Sequence, residues 1–152
     1  MKTRKIETER FDEVIAFIRR SFPNLVMEVS HSDPDVDAIA EFPVQPGLLS
    51  EVSINLQNCD ELHLNVSRFW VEWFPCGKQQ VFDRFLEALT GVLSGRSRIV
   101  ESYVFGKPAT ARLQVPRTNG TWKTVATWFS PWVLVPWLRH QRIVRNTPSP
   151  SV

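Results

Sequence analysis

Glycine is scarce in this chain, with six among 152 residues, and no apolar run approaches the length of about 18 residues that a membrane span needs. Few glycines leave little room for a loop that cradles phosphate. The patterns G-x-G-x-x-G, G-x-x-x-x-G-K-[ST] and G-x-S-x-G are all missing. The sequence therefore carries no recognisable signature of a nucleotide site or of a serine hydrolase.

Cysteine and histidine are also rare. The two cysteines, Cys59 and Cys76, and the three histidines are spread singly, without a C-x-x-C or paired histidines. The N-terminus is charged and lacks the apolar core of a signal peptide. We therefore predict free thiols, no metal, no cofactor and no transmembrane segment, and we expect the cytoplasm as the compartment.

Charge is divided unevenly along the chain. Between Ser21 and Ser67 there is no Lys or Arg but there are eight Asp and Glu residues, and after Glu101 there is no acid but there are seven Lys and Arg residues. The net charge of +2 conceals this division. If the two regions are neighbours in one sheet, their charges pair across strands, and if they are apart, they form two surfaces for different partners.

Two segments have the apolar spacing of amphipathic helices. The first covers residues 8–22 and stops before Pro23, and the second covers residues 78–94, with Gly95 placed as a C-terminal cap. Their apolar faces consist of Phe11, Val14, Ile15, Ile18 and Phe22 in the first and of Val81, Phe82, Phe85, Leu86, Leu89 and Leu93 in the second.

The rest of the chain up to residue 129 contains short runs in which apolar and polar residues alternate, as in strands with one buried face. A hairpin is predicted over residues 52–66 with a turn at 58–61, and Asn119-Gly120 is the best local hairpin signal in the chain. At Ser67-Arg68 the alternation changes phase, which predicts a β-bulge or a second turn. The run from Phe69 to Phe74 is apolar on both faces, so we expect Trp70 and Trp73 in the core.

The order of elements is one helix, four or five strands, a second helix and three strands, which is typical of an α+β domain. We predict a single antiparallel sheet of about seven strands with both helices packed on one face, followed by an irregular Trp-rich C-terminal arm. Residues 1–145 are predicted to form one domain and residues 146–152 a disordered tail.

Catalysis is not predicted from any linear cluster. The acidic turn around Asp33 lacks the glycine and the distant glutamate of a calcium loop. Cys59 and His63 are close in sequence, but a nucleophile and its base are assembled in space. The alternation also places His63 on the solvent side of its strand.

The function we predict is a non-catalytic protein-binding module that uses an acidic strand and turn surface, a basic Trp-rich arm, or both. The partner is expected to be a protein, and the acidic surface would suit a basic one. By layout alone, the element order is similar to that of small immunity proteins and secretion chaperones. The residues assigned to partner binding are Glu51, Asn55, Asp60, Glu61, His63, Trp132, Trp137, Arg139 and Arg142.

Three alternatives stay open. The basic last third could bind nucleic acid, although the acidic half would repel it. The arm could instead mediate self-association. An enzyme or small-ligand carrier could have a pocket whose residues come from several strands and cannot be read linearly.

Overall fold

The computed structural model describes the backbone of residues 2–130 and 139–147, and the side chains of residues 8–130 and 140–147. Two helices and nine strands occur in these ranges, which confirms the α+β class. In chain order they are α1 Lys2–Ser21, β1 Glu28–Ser30, β2 Ala38–Phe42, β3 Val52–Gln57, β4 Glu61–Val66, β5 Phe69–Trp73, α2 Gln79–Leu93, β6 Arg98–Val104, β7 Lys107–Pro116, β8 Trp122–Phe129 and β9 Arg139–Val144.

The strands form two antiparallel sheets, so the prediction of one sheet of about seven strands is wrong. The first sheet has the order β1-β2-β3-β4-β5 and the second the order β8-β7-β6-β9. The chain leaves the first sheet at β5, passes through α2 and enters the second sheet at β6. Alternation identifies the strands, but it does not show which of them share hydrogen bonds.

The predicted irregular arm contains a strand. β9 pairs antiparallel with β6, with Arg139 opposite Val104 and Val144 opposite Ile99. Only two of its six residues are apolar, so the strand has little hydrophobic signal. Residues 131–138 and 148–152, which hold most of the predicted arm and tail, lie outside the described ranges.

The change of phase at Ser67-Arg68 is a second turn. It joins β4 to β5, and Ser67 has a φ of 53°, in the left-handed region that turns use. After the turn, Phe69 is buried again opposite Val66 of β4. The turn therefore returns the apolar residues of β5 to the core side of the sheet, although in the sequence they are out of step with those of β4.

One hydrophobic core joins both helices and both sheets. Phe11 and Ile18 of α1 and Phe85 of α2 are fully buried in it, and the ring of Trp73 on β5 meets that of Phe85 edge to face at 5.5 Å. Burial of each such side chain contributes about 1.5–3 kcal/mol. This packing fixes which face of the first sheet turns inward, and it leaves the opposite face for other contacts. Among the described residues, no helix is both long and apolar enough to cross a membrane.

Candidate functional site

The face of the first sheet that points away from the core is polar and crosses all five strands. Because side chains alternate along a strand, residues that are paired across strands share a face. One row of partners crosses the sheet at Glu28, Glu41, Ser53, Asn65 and Trp70, and a second row crosses it at Ser30, Ile39, Asn55, His63 and Glu72. We call this surface the acidic face, with Gln57 and Glu61 as its third, shorter row.

No Lys or Arg within the five strands balances the charge of the acidic face. The five strands contain no Lys or Arg, while Glu28, Glu41, Glu61 and Glu72 point to this side. Glu28 and Glu41 are direct cross-strand partners, an arrangement that like charges make unfavourable. The fold therefore keeps this face negative at some cost in stability.

His63 lies in the second row of the acidic face, on β4 beside the edge strand β5, and the prediction that it points to solvent is wrong. Only 1% of the residue is exposed, because the indole of Trp70 lies over the imidazole with ring centroids 5.2 Å apart and planes 26° from parallel. His63 is on the side of β4 away from the core, as the alternation requires, but a neighbouring strand brings a side chain that covers it.

Trp70 is not a core residue. Its exposed fraction is 46%, so one side of the indole contacts His63 and much of the other side meets solvent. Trp73, on the inner side of β5, joins the core as expected. Sequence reasoning missed both Trp70 and Glu72 as site residues, although strict alternation along β5 places them together, opposite Val71 and Trp73.

Three of the predicted acidic-surface residues lie on the face and two lie at its margins. Asn55 is the cross-strand partner of His63 and accepts a hydrogen bond from Gln57 at 2.9 Å, while Glu61 begins β4. Glu51 precedes β3 and lines a surface hollow with Ser50, Ser53, Asn65 and Ser67. Asp60 sits in the β3–β4 turn, where its carbonyl accepts a hydrogen bond from the amide of Cys76.

One part of the acidic face can hold a metal ion. Three side chains, those of Glu61, His63 and Glu72, each offer one ligand atom there. These three atoms all lie within 4.8 Å of one another. His63 Nε2 lies 3.4 Å from Glu61 Oε2, and Glu72 is the cross-strand partner of His63 on the other side. The three side chains come from two strands, so no spacing in the sequence reveals them.

The second sheet contains a buried carboxylate, unlike the glutamates of the acidic face. Glu101 on β6 is completely buried, and its oxygens accept hydrogen bonds from the Arg68 amide at 3.0 Å and from the Tyr103 hydroxyl at 2.6 Å. Burial by itself raises the pKa of Glu101, but hydrogen bonds from Ser67, Tyr103 and the Arg68 backbone, with the charge of Arg142, outweigh it and lower the pKa. Burial and the bond to Glu101 raise the pKa of Tyr103. This cluster ties the β4–β5 turn to the second sheet.

The basic residues of the last third belong mainly to the second sheet, so they are not strand neighbours of the acidic segment. One of them, Arg145, and the nearby Arg98 of β6 make contacts within the protein. The guanidinium groups of Arg98 and Arg145 lie over the Trp122 ring at 4.1 and 5.4 Å, and Arg145 Nε donates to the carbonyl of Gly95. Of the predicted basic-arm residues, Arg139 begins β9 and Arg142 lies opposite Glu101, whereas Trp132 and Trp137 are outside the described residues.

Comparisons with protein-family models, with curated proteins and with solved structures each find no significant match for this chain. The geometry of the described residues is therefore the whole basis for the functional argument.

Proposed function

We propose that the protein is a binding module whose acidic face engages a positively charged protein partner. The observation that carries this proposal is the set of five strands without Lys or Arg, whose open face presents four glutamates and, on the edge strand β5, a half-exposed tryptophan. A surface of one sign accelerates encounter with a partner of the opposite sign and disfavours partners of the same sign.

Trp70 provides a large apolar contact surface, which the charged residues of the acidic face do not provide. We call it the anchor. Tryptophan is among the residues that most often dominate binding energy at protein interfaces. The stack on His63 holds the indole in place before binding, so little side-chain freedom remains to be lost when a partner covers it. A lysine or arginine of the partner can also lie over the exposed ring as a cation–π contact.

The experiment compares two double charge reversals that change the net charge equally. Glu41→Lys with Glu72→Lys alters the acidic face, and Glu9→Lys with Glu87→Lys alters exposed positions on the two helices. A partner captured on the wild-type protein is purified, and its association with each variant is followed at several salt concentrations. We expect the face variant to slow association by about tenfold or more at low salt, with the helix variant close to wild type.

A third variant, Trp70→Ala, separates the anchor from the charge. It leaves the carboxylates in place, so we expect faster dissociation with little change in the association rate. Equal effects of the two double reversals would show that only net charge matters. Unchanged binding in both the face variant and Trp70→Ala would place the partner elsewhere and overturn the proposal.

A further inference from the structure

His63 is a buried imidazole with poor hydrogen bonding. Its side chain is 2% exposed, its Nε2 is 3.4 Å from Glu61 Oε2, and its Nδ1 has no hydrogen-bond partner among the described residues. A charge-assisted bond between nitrogen and carboxylate is normally about 2.7–2.9 Å long. Buried polar groups almost always have a well-placed partner, so an imidazole in this state calls for an explanation.

The same molecule contains an ordinary pair for comparison. His31 Nε2 lies 2.9 Å from Asp12 Oδ1, and both side chains are about half exposed. The pair that is exposed on both sides is short, while the pair whose imidazole is buried is long. The separation of His63 Nε2 and Glu61 Oε2 is therefore longer than that of an ordinary ion pair, and Glu61 Oε2 accepts a shorter hydrogen bond, of 3.0 Å, from Asn58 Nδ2.

Metal geometry accounts for that spacing. Zinc binds imidazole nitrogen and carboxylate oxygen at about 2.0–2.2 Å in tetrahedral sites, which places neighbouring ligand atoms about 3.4 Å apart. The separation of His63 Nε2 and Glu61 Oε2 equals this edge. Glu72, exposed and within reach of both, provides the third ligand atom.

We propose that Glu61, His63 and Glu72 bind Zn²⁺ or a similar divalent transition ion, with the fourth position left to water. One imidazole with two carboxylates suits this class of ion, whereas Ca²⁺ and Mg²⁺ prefer shells built from oxygen alone. The ion also neutralises carboxylates that no Lys or Arg of the same sheet pairs with. This proposal stands on the side-chain geometry and does not depend on whether the acidic face binds a protein.

The test is a calorimetric titration of the full-length, chelator-treated protein with Zn²⁺. We expect one site per chain. Glu72→Gln changes an exposed residue, so the variant should fold normally, and it should weaken binding by roughly 100-fold, since loss of even an outer partner of a ligand costs about 10- to 100-fold. Glu41→Gln removes the same charge from the same face, two strands away from His63, and should leave binding unchanged.

Two further variants exclude other locations for the ion. Cys59→Ser removes the free thiol that is partly exposed, and His31→Ala removes the imidazole of the other histidine–carboxylate pair. Neither should change the affinity, and excess Mg²⁺ or Ca²⁺ should not displace Zn²⁺. Absence of binding, loss of binding in Cys59→Ser or His31→Ala, or equal weakening by Glu72→Gln and Glu41→Gln would each overturn the proposal.

Discussion

Glu101 and His63 are buried to the same degree but bonded in opposite ways. Both lie near the middle of a sheet and are at most 1% exposed. The carboxylate of Glu101 accepts bonds from donors on both oxygens, whereas His63 has one long contact and one nitrogen without a partner among the described residues. A fully bonded buried group makes the structure around it rigid, and an under-bonded one leaves hydrogen-bonding capacity unused.

The difference follows from what each group connects. The bonds of Glu101 link the β4–β5 turn of the first sheet to β6 of the second, so it acts between elements that share no strand pairing. The neighbours of His63 are carboxylates and an indole on β4 and β5 of the first sheet itself, so these contacts make no link to the second sheet. We therefore expect Glu101 to matter for stability and His63 to matter for binding.

Of the substitutions that distinguish Glu101 from His63, we expect Glu101→Ala to have the largest effect on stability. Hydrogen bonds to a charged group contribute roughly 1.5–3 kcal/mol each and are not additive, so we expect a loss of about 3 kcal/mol in the free energy of unfolding. Denaturant unfolding measures it. Glu72→Ala, which truncates an exposed carboxylate, is the control and should stay within about 0.5 kcal/mol of wild type. If Glu101→Ala also changes the free energy of unfolding by no more than about 0.5 kcal/mol, the contrast drawn between Glu101 and His63 is wrong.

The pH dependence of stability provides a second, smaller contrast. The folded state lowers the pKa of Glu101, so its contribution is complete above the unfolded value of about 4.3 and is lost as the pH falls through the lower folded value. In Glu101→Gln this contribution is missing. We expect the stability difference between Glu101→Gln and wild type to shrink as the pH is lowered from about 6 towards 3, in unfolding curves at each pH.

Glu41→Gln, which removes an exposed carboxylate from the first sheet, is the matched control for that series. Among the described residues no donor bonds to its carboxylate, so the narrowing of the stability difference expected for Glu101→Gln should be absent in this variant. If Glu41→Gln and Glu101→Gln behave alike, the acid dependence does not come from the buried carboxylate.

Periodicity was sufficient for the α+β class, for α2 and for the hairpin of β3 and β4. For α1 it was sufficient only from residue 8 onward, since that helix begins at Lys2. It failed for the division into two sheets, because pairing between distant segments leaves no trace in the alternation of either one. It failed also for β9, where a strand that pairs at a sheet edge needs few apolar residues. The charge division was visible in the sequence, but its assignment to separate sheets needed the topology.

The candidate site was predicted in part, and the missing part has one cause. Alternation along β4 placed His63 correctly on the side away from the core, and it implied exposure because nothing in β4 says what lies beside it. Trp70 and Glu72 come from β5, after a turn that resets the register. Burial of a polar residue on an outer face thus depends on cross-strand neighbours, and a single segment does not specify these.

We expect the smallest effect on stability from His63→Leu, measured after a chelator has removed any bound metal. This variant is the most direct test of the contrast between Glu101 and His63. Replacing a poorly bonded buried polar group by an apolar one of similar size is nearly neutral, because the lost bond is weak and burial of the new side chain offsets it. Glu61 and Glu72 keep access to water, so the variant leaves no buried carboxylate unpaired. We expect the free energy of unfolding to stay within about 1 kcal/mol of wild type. A loss as large as that of Glu101→Ala would mean that His63 is bonded as strongly as Glu101, and its role would then be structural.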